Sequence, residues 1–234
     1  MPKIALVCFD VDNTLFKEKP GLEAQIFNAM YAVAAKKLDI PRALLKDEYN
    51  KLYEEFESHS RVFKELGLPP ELAKEIYDGV DIAHYLDKDP ELVNLFAHVR
   101  EKRIPYSIYT NSKVTSTLRK LGKLGLGEYV KLTEQEGGFA FVLTGEAFPK
   151  AIGSTGFDKV IENAGVSPEQ ILFVGDRKKV DILPAREKGM MTAHVWQPGP
   201  RVVSEDRMHY TLPDVYSVKA IVDSLELVVR TSAR

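Results

Sequence analysis

The chain has 234 residues, 44% of them hydrophobic and 28% charged, with a formal net charge of −2. That length suits one large domain or a domain with a smaller module, and the apolar content supports a real core. The nearly balanced charge argues against a nucleic-acid polymer as partner, which calls for a basic surplus or patch, yet leaves room for a small anion held by a few local cations.

The first predicted element is a buried strand over residues 3–10, KIALVCFD, continuously apolar before its acid, as in a central parallel strand covered on both faces. Its six-residue apolar run is too short for a signal-peptide core or a membrane span, so a soluble cytoplasmic protein without a membrane partner is expected. The single cysteine, Cys8, lies in this run and reads as a small core residue, which excludes an intrachain disulfide and a thiolate cluster. Residues 22–87 read as helices: Leu22, Ile26, Ala29, Met30 and Val33 keep helical spacing, as do Tyr49, Leu52, Tyr53 and Phe56. Pro41 and Pro69–Pro70 punctuate the block, and Pro70 suits a helix start. Beyond it helices and strands alternate. PELVNLFAHVREKR reads as a helix, IPYSIYTN as a strand, 114–124 as a helix ending among glycines, and EGGFAFVLTG as a hairpin. FDKVIENAG puts Phe157, Val160, Ile161 and Ala164 on one helical face, with Gly165 where the helix should stop. Strand ILFVGD, helix DILPAREKG closed by Gly189, and strand MTAHVW follow. Val218, Ile221, Val222, Leu225, Val228 and Val229 then share a last helical face. The five histidines are scattered, without paired metal-ligand spacing, and read as structural or solvated.

This alternation indicates an α/β fold, a doubly wound parallel sheet, with a helical insertion after the first strand. The boundaries drawn from it are a core of 1–15 and 89–234 and a small α-helical cap domain of 16–88. Ligands in such sheets bind beyond the carboxyl ends of the strands. Polar groups collect there: Asp10 and Asp12 after the first strand, Thr110-Asn111-Ser112 after IPYSIY, and Asp176 after ILFVG with Asp181 five residues on. Lys150 lies on the connection before the FDKVIENAG helix. Singly, each has a plain reading as a solvated turn, a helix cap or a surface lysine. Together, at one edge of one sheet, they indicate a site. Two carboxylates ending a buried strand repel each other and resist desolvation, so something must offset them.

DVDNT, the YTN stretch, a downstream lysine and GDRKKVD resemble the four ordered motifs of the haloacid dehalogenase superfamily, across nearly the whole chain. The helical block is similar to that family's C1-type cap. The resemblance implies a Rossmann-like core and a Mg²⁺ site. In it, Asp10 and Asp176 give carboxylate oxygens, Asp12 gives its backbone carbonyl, and Asp181 orders a water or a neighbour. It implies phosphoryl transfer with Asp10 as nucleophile and Asp12 as acid then base. Thr110 hydroxyl and Asn111 N–H would hold the phosphoryl oxygens, and Lys150 would neutralise Asp10 and the transferring group. Arg177 departs from the small polar residue frequent there and could, with Lys178 and Lys179, make the rim attractive to anions, although a solvated loop is the better reading of the two lysines. Expelling halide needs neither proton nor metal, so the second aspartate favours a phosphatase or phosphomutase over a dehalogenase. The third motif departs from the usual pattern, with Ala151 in place of proline and a longer approach, so Lys159 and Lys131 stand as alternatives to Lys150.

The implied substrate is a small phosphorylated metabolite. Nucleoside monophosphates and phosphoglycolate-like compounds are the candidates, since FDVDNTL with Thr-Asn-Ser resembles pyrimidine 5′-nucleotidase-like members. Tyr49, Tyr53, Phe56, Tyr77 and Tyr85 could stack on a base, but the stripe of Tyr49, Tyr53 and Phe56 reads better as the cap's own core. Rival readings are a sugar-phosphate mutase, a non-catalytic phosphoacceptor like a response-regulator receiver, and an interaction protein with a vestigial site.

Overall fold

The computed structural model describes residues 3–17, 21–131, 134–150, 153, 155–204, 208–224 and 226–227. The chain divides into two compact units, Glu18–Tyr85 and the remainder, Met1–Lys17 with Leu86–Arg234. Among the described residues no helix is long and apolar enough to cross a membrane.

The smaller unit is helical: α1 (Leu22–Leu38), α2 (Arg42–Phe56), α3 (His59–Glu65), α4 (Pro70–Gly79) and a 3₁₀ turn over Ile82–Tyr85. α1 and α2 each stop on a left-handed residue, Asp39 and Glu57, whose N–H closes onto Ala35 O and Tyr53 O. Tyr49 is fully buried. The rings of Phe27, Tyr31 and Phe63 meet it edge-on at 5.1–6.3 Å, and its hydroxyl lies 2.9 Å from His59 Nδ1. Tyr53 stacks on His59 at 4.4 Å. The tyrosines of α2 thus face the unit's own core.

The larger unit opens with β1 (Lys3–Ile4) and β2 (Leu6–Phe9) and, after the helical insertion, continues with α5 (Pro90–Glu101), β3 (Tyr106–Thr110), α6 (Val114–Lys123), α7 (Gly127–Lys131) and β4 (Val142–Thr144). Then come α8 (Gly156–Ala164), β5 (Ile171–Gly175), a π-helical turn over Lys178–Ile182 running into α9 (Leu183–Glu187), and β6 (Met191–His194). It closes with β7 (Val202–Val203), β8 (His209–Thr211), α10 (Val218–Ser224) and β9 (Glu226–Leu227). Seven strands form one sheet in the order β4-β3-β2-β5-β6-β8-β7, parallel except for β7, with helices on both faces. β2, β3 and β5 are buried along their whole length, which is why their sequences show no polar alternation. Pairing of Phe9 with both Ile108 and Val174 brings the ends of these three neighbouring strands level, so the residues that follow them converge.

Three expectations need correction. The run 3–10 is two strands, not one: β1 pairs with β9, the chain bends at Ala5, and only β2 enters the main sheet. A continuous apolar run carries no mark of a change of partner. EGGFAFVLTG is no hairpin; its one described strand, β4, lies parallel to β3. Its partner is distant in sequence, so local turn chemistry misleads. The last helix stops at Ser224 and β9 takes over, because apolar residues at mixed spacing suit a strand equally well. Leu225, Val228 and Val229 lie outside the described residues. Gly165 does stop α8 in the left-handed conformation, and Phe157, Val160 and Ala164 are the buried face of that helix.

Candidate active site

The site starts from the end of β2. Asp10 is 1% exposed, and its N–H donates to Val174 O at 2.9 Å, which ties it to β5. Beyond it the chain turns tightly, with the N–H groups of Thr14 and Leu15 both returning to Val11 O and Asn13 in the left-handed region at φ 55. Asparagine tolerates that conformation better than most residues. The turn aims two donors at β5: Asn13 Nδ2 reaches Asp176 Oδ2 at 3.0 Å, and Thr14 Oγ1 lies 3.2 Å from Asp176 Oδ1 and 3.4 Å from Asp10 Oδ2. Trp196, beyond β6, holds the turn from outside by donating Nε1–H to Thr14 O at 3.0 Å.

Lys150 lies at the centre. Its side chain is fully buried, with Nζ 2.7 Å from Asp10 Oδ1 and 2.6 Å from Asp181 Oδ1. Its backbone is gripped by the Asn111 side chain, which accepts from Lys150 N–H at 2.6 Å and donates to Lys150 O at 3.1 Å. β3 thereby sets the height of a lysine that belongs to a loop. Burial opposes the charge on Lys150, but Asp10 and Asp181 outweigh it and raise its pKa. Burial likewise works against the Asp181 carboxylate, yet Lys150 and Arg177 hold it below the usual range. Asp10 is raised, chiefly by burial and only partly relieved by Lys150. Asp176 is pushed up to about 8 by burial and by the charge of Asp181.

Asp10, Asp176 and Asp181 each offer an oxygen within 4.8 Å of the others. Their donors are all hard oxygens, the set that suits Mg²⁺. Asp10 Oδ1 is buried against the Lys150 ammonium at 2.7 Å, without further donors around it among the described residues. Asp181 is otherwise engaged: Oδ1 faces Lys150, and Oδ2 accepts from Arg177 N–H at 3.1 Å with Arg177 Nε at 3.8 Å. A divalent ion held by this cluster would relieve Asp10 and Asp176, the two carboxyls that the fold holds above their ordinary pKa.

Asp12 points elsewhere. Its Oδ1 lies 2.5 Å from Lys120 Nζ, and its Oδ2 accepts from Ser112 Oγ at 2.5 Å. Burial would raise this carboxyl, but Lys120 and Ser112 together bring it below the usual range. One residue, Val11, therefore separates two aspartates of opposite habit: Asp10 with the acidic cluster, Asp12 with α6.

The model of the haloacid dehalogenase-like hydrolases matches residues 4–189 of this chain. The chain belongs to that family. Among its relatives, a glyceraldehyde 3-phosphate phosphatase of Methanopyrus kandleri is 28% identical over 207 residues, covering 82% of this chain and 84% of its own. Another of that name, from Methanocaldococcus jannaschii, is 22% identical over 232 residues, with 94% and 97% covered. The fold is shared with a HAD phosphatase from Thermococcus onnurineus (TM-score 0.59, 21% identical, 95% and 99% covered). It is shared also with a 2-haloacid dehalogenase from Pseudomonas syringae (TM-score 0.52, 20% identical, 94% and 99% covered). The architecture thus hosts both chemistries, and the choice between them lies with individual side chains.

In this haloacid dehalogenase-like hydrolase the residues singled out from sequence fall into three groups. Asp10, Lys150, Asp176 and Asp181 are brought together as one cluster. Asp12 is adjacent but faces Lys120. Thr110, fully buried, accepts from Ser112 N–H at 3.2 Å and keeps its own proton to donate, while Asn111 uses its side chain on Lys150 and not on a ligand. Arg177 is partly exposed beside Asp181, and Lys178 is exposed. Lys131 ends α7 on the surface, and Lys159 pairs with Glu162 at 2.9 Å, so neither reaches Asp10. Sequence reading passed over Lys120 and Trp196, and gave Ser112, named with Thr110 and Asn111, no role of its own. Lys120 had a visible signal: with Thr117 and Leu121 it forms the buried stripe of α6, at the spacing where an apolar residue is expected.

Proposed function

We propose that this hydrolase is a Mg²⁺-dependent phosphatase of a small phosphorylated metabolite, working through an aspartyl phosphate on Asp10. The observation that carries the reading is the separation of the two aspartates, one against Lys150 in the acidic cluster and the other against Lys120 outside it. The separation is geometric: it keeps the Asp12 side chain out of the acidic cluster and able to meet the leaving group and water. Asp10 Oδ attacks phosphorus in line and the phosphoester bond breaks. Asp12, ionised beside Lys120 in the free site, takes up a proton as the substrate binds, gives it to the departing alkoxide, and regains one from the water that hydrolyses the acyl phosphate. Thr110 hydroxyl, the Asn111 N–H and Lys150 Nζ hold the phosphoryl oxygens, and Asp181 keeps Lys150 oriented. When bound by Asp10, Asp176 and the Asp12 carbonyl, Mg²⁺ supplies charge neutralisation that lets an anionic nucleophile approach an anionic substrate.

The helical unit enters the sequence directly after the Asp10 turn, and we assign it the role of a cap that selects the leaving group. The aromatic stripe of α2 is used up in that unit's core, which favours a small substrate over a stacked nucleobase. A triose phosphate, the substrate in the names of the two relatives, joins phosphoglycolate as first choice. The test is a phosphate-release screen over glyceraldehyde 3-phosphate, phosphoglycolate, sugar phosphates and nucleoside monophosphates, with Mg²⁺ or EDTA. Release should require the ion and vanish in Asp10→Asn. Undiminished turnover by that variant would overturn the nucleophile assignment, and an isomerised sugar phosphate in place of free phosphate would mark a mutase. A single stoichiometric phosphorylation without turnover would mark a phosphoacceptor.

A further inference from the structure

The site contains a second buried cation that the reaction as derived leaves without a task. Lys120 is 1% exposed, on the core face of a helix that offers it Thr117 and Leu121 as neighbours. An ammonium group so placed resists desolvation unless it is paired and hydrogen-bonded. Three bonds link it to Asp12 and Ser112: Lys120 Nζ donates to Asp12 Oδ1 at 2.5 Å and to Ser112 Oγ at 3.0 Å, and Ser112 Oγ donates to Asp12 Oδ2 at 2.5 Å. Both oxygens of Asp12 are therefore held, by groups from the end of β3 and from α6. Lys150, the other buried lysine, is committed to Asp10 and Asp181. The two cations divide Asp10, Asp181 and Asp12 between them, while Asp176 takes its hydrogen bonds from Asn13 and Thr14.

We propose that Lys120, with Ser112, is a positioning residue for the acid–base aspartate, fixing the Asp12 carboxyl in one rotamer turned away from the cluster of Asp10, Asp176 and Asp181. Without this clamp an aspartate so close to the acidic cluster can swing into it and become a cation ligand, losing its use as a proton carrier. The inference rests on the phosphatase reading above. Lys120 acts through Asp12, so its removal should matter in proportion to the leaving group's need of a proton, and should leave the phosphoryl site untouched.

The test uses the full chain as wild type, Lys120→Met, Lys120→Arg and Ser112→Ala, with melting curves to establish folding. Two substrates are compared: p-nitrophenyl phosphate, whose phenolate departs without a proton, and glyceraldehyde 3-phosphate, whose alkoxide does not. Lys120→Met should lower kcat/KM about 100-fold on the alkyl ester and less than about fivefold on the aryl ester, the size of a lost general acid. The inhibition constant of inorganic phosphate should stay within about twofold, since the phosphoryl contacts are intact. Ser112→Ala should show the same split at smaller amplitude, and Lys120→Arg should recover part of the loss. If Lys120→Met does not fold, Ser112→Ala alone must show the split. Equal losses on both esters, a weakened phosphate affinity, or an undiminished effect of Lys120→Met in an Asp12→Asn background would each overturn the inference. A wild type that releases phosphate from neither ester would overturn the phosphatase reading and this inference with it, whereas an active wild type with equal losses removes only the latter.

Discussion

Replacing Lys150 by methionine preserves most of the side chain's volume and deletes only its charge. The structure sets the cost. Lys150 Nζ stands between Asp10 and Asp181, at 2.7 and 2.6 Å, with no solvent exposure on any of the three side chains beyond 1%. Removing one partner of a buried pair costs about 3–5 kcal/mol. The lower end applies here, because Asp10 is already raised by burial and can relieve itself by taking up a proton. Asp181 has no such ease, being held ionised by Lys150 and Arg177. A loss of about 3 kcal/mol lowers the melting temperature of a domain this size by about 6–12 °C. Differential scanning fluorimetry in EDTA at pH 7.5 measures it. The same variant should lose phosphatase activity by more than about 100-fold, since the positive charge facing the phosphoryl group is gone. A melting point within about 2 °C of wild type would show that Asp181 is neutralised by some other group, and the electrostatic account of the cluster would fall.

Gly175→Ala places a methyl group 2.5 Å from Asp181 Cβ, so the Asp181 side chain must move and Lys150 loses its orientation; activity should drop by at least about tenfold with a destabilisation of about 1–3 kcal/mol, read by kinetics and denaturant melts. The Cys8 thiol, fully buried and pushed up to about 12 by desolvation, should resist Ellman's reagent at pH 8 in the folded protein and react fully once denatured; fast labelling of the native state would refute its burial. Ion removal carries a pH signature. Asp176 is raised to about 8 in the ion-free protein, so its folded form binds a proton that the unfolded form has released, and EDTA-treated protein should lose stability as pH rises towards 8. Mg²⁺ should therefore raise the melting temperature more at pH 8.5 than at pH 6; equal shifts at both would contradict the assignment of Asp176 as a ligand.

The parts legible in the sequence were those whose signal is local. Buried parallel strands announce themselves as apolar runs, and polar residues at their ends stand out against them; Asp10, Thr110 and Asp176 were found this way. Helical spacing located the α2 stripe and the α8 face, with Gly165 as a stop. The failures share one cause. β4 and β9 are defined by partners far along the chain, and their own residues carry no mark of it.

The same division runs through the site. Apolar runs alone placed Asp10, Thr110 and Asp176 at the carboxyl edge of a parallel sheet, because each sits next to its strand in sequence, whereas Lys150, on a connection, was picked out by the resemblance to the family's third motif. Which acid faces which cation was decided only by the tertiary structure: Asp12 meets a lysine 108 positions away, and Lys150 meets Asp181 across 31. Those pairings follow from strand order and register, which bring the ends of β2, β3 and β5 level, and no local pattern of residues encodes a register between strands that are not neighbours in the chain.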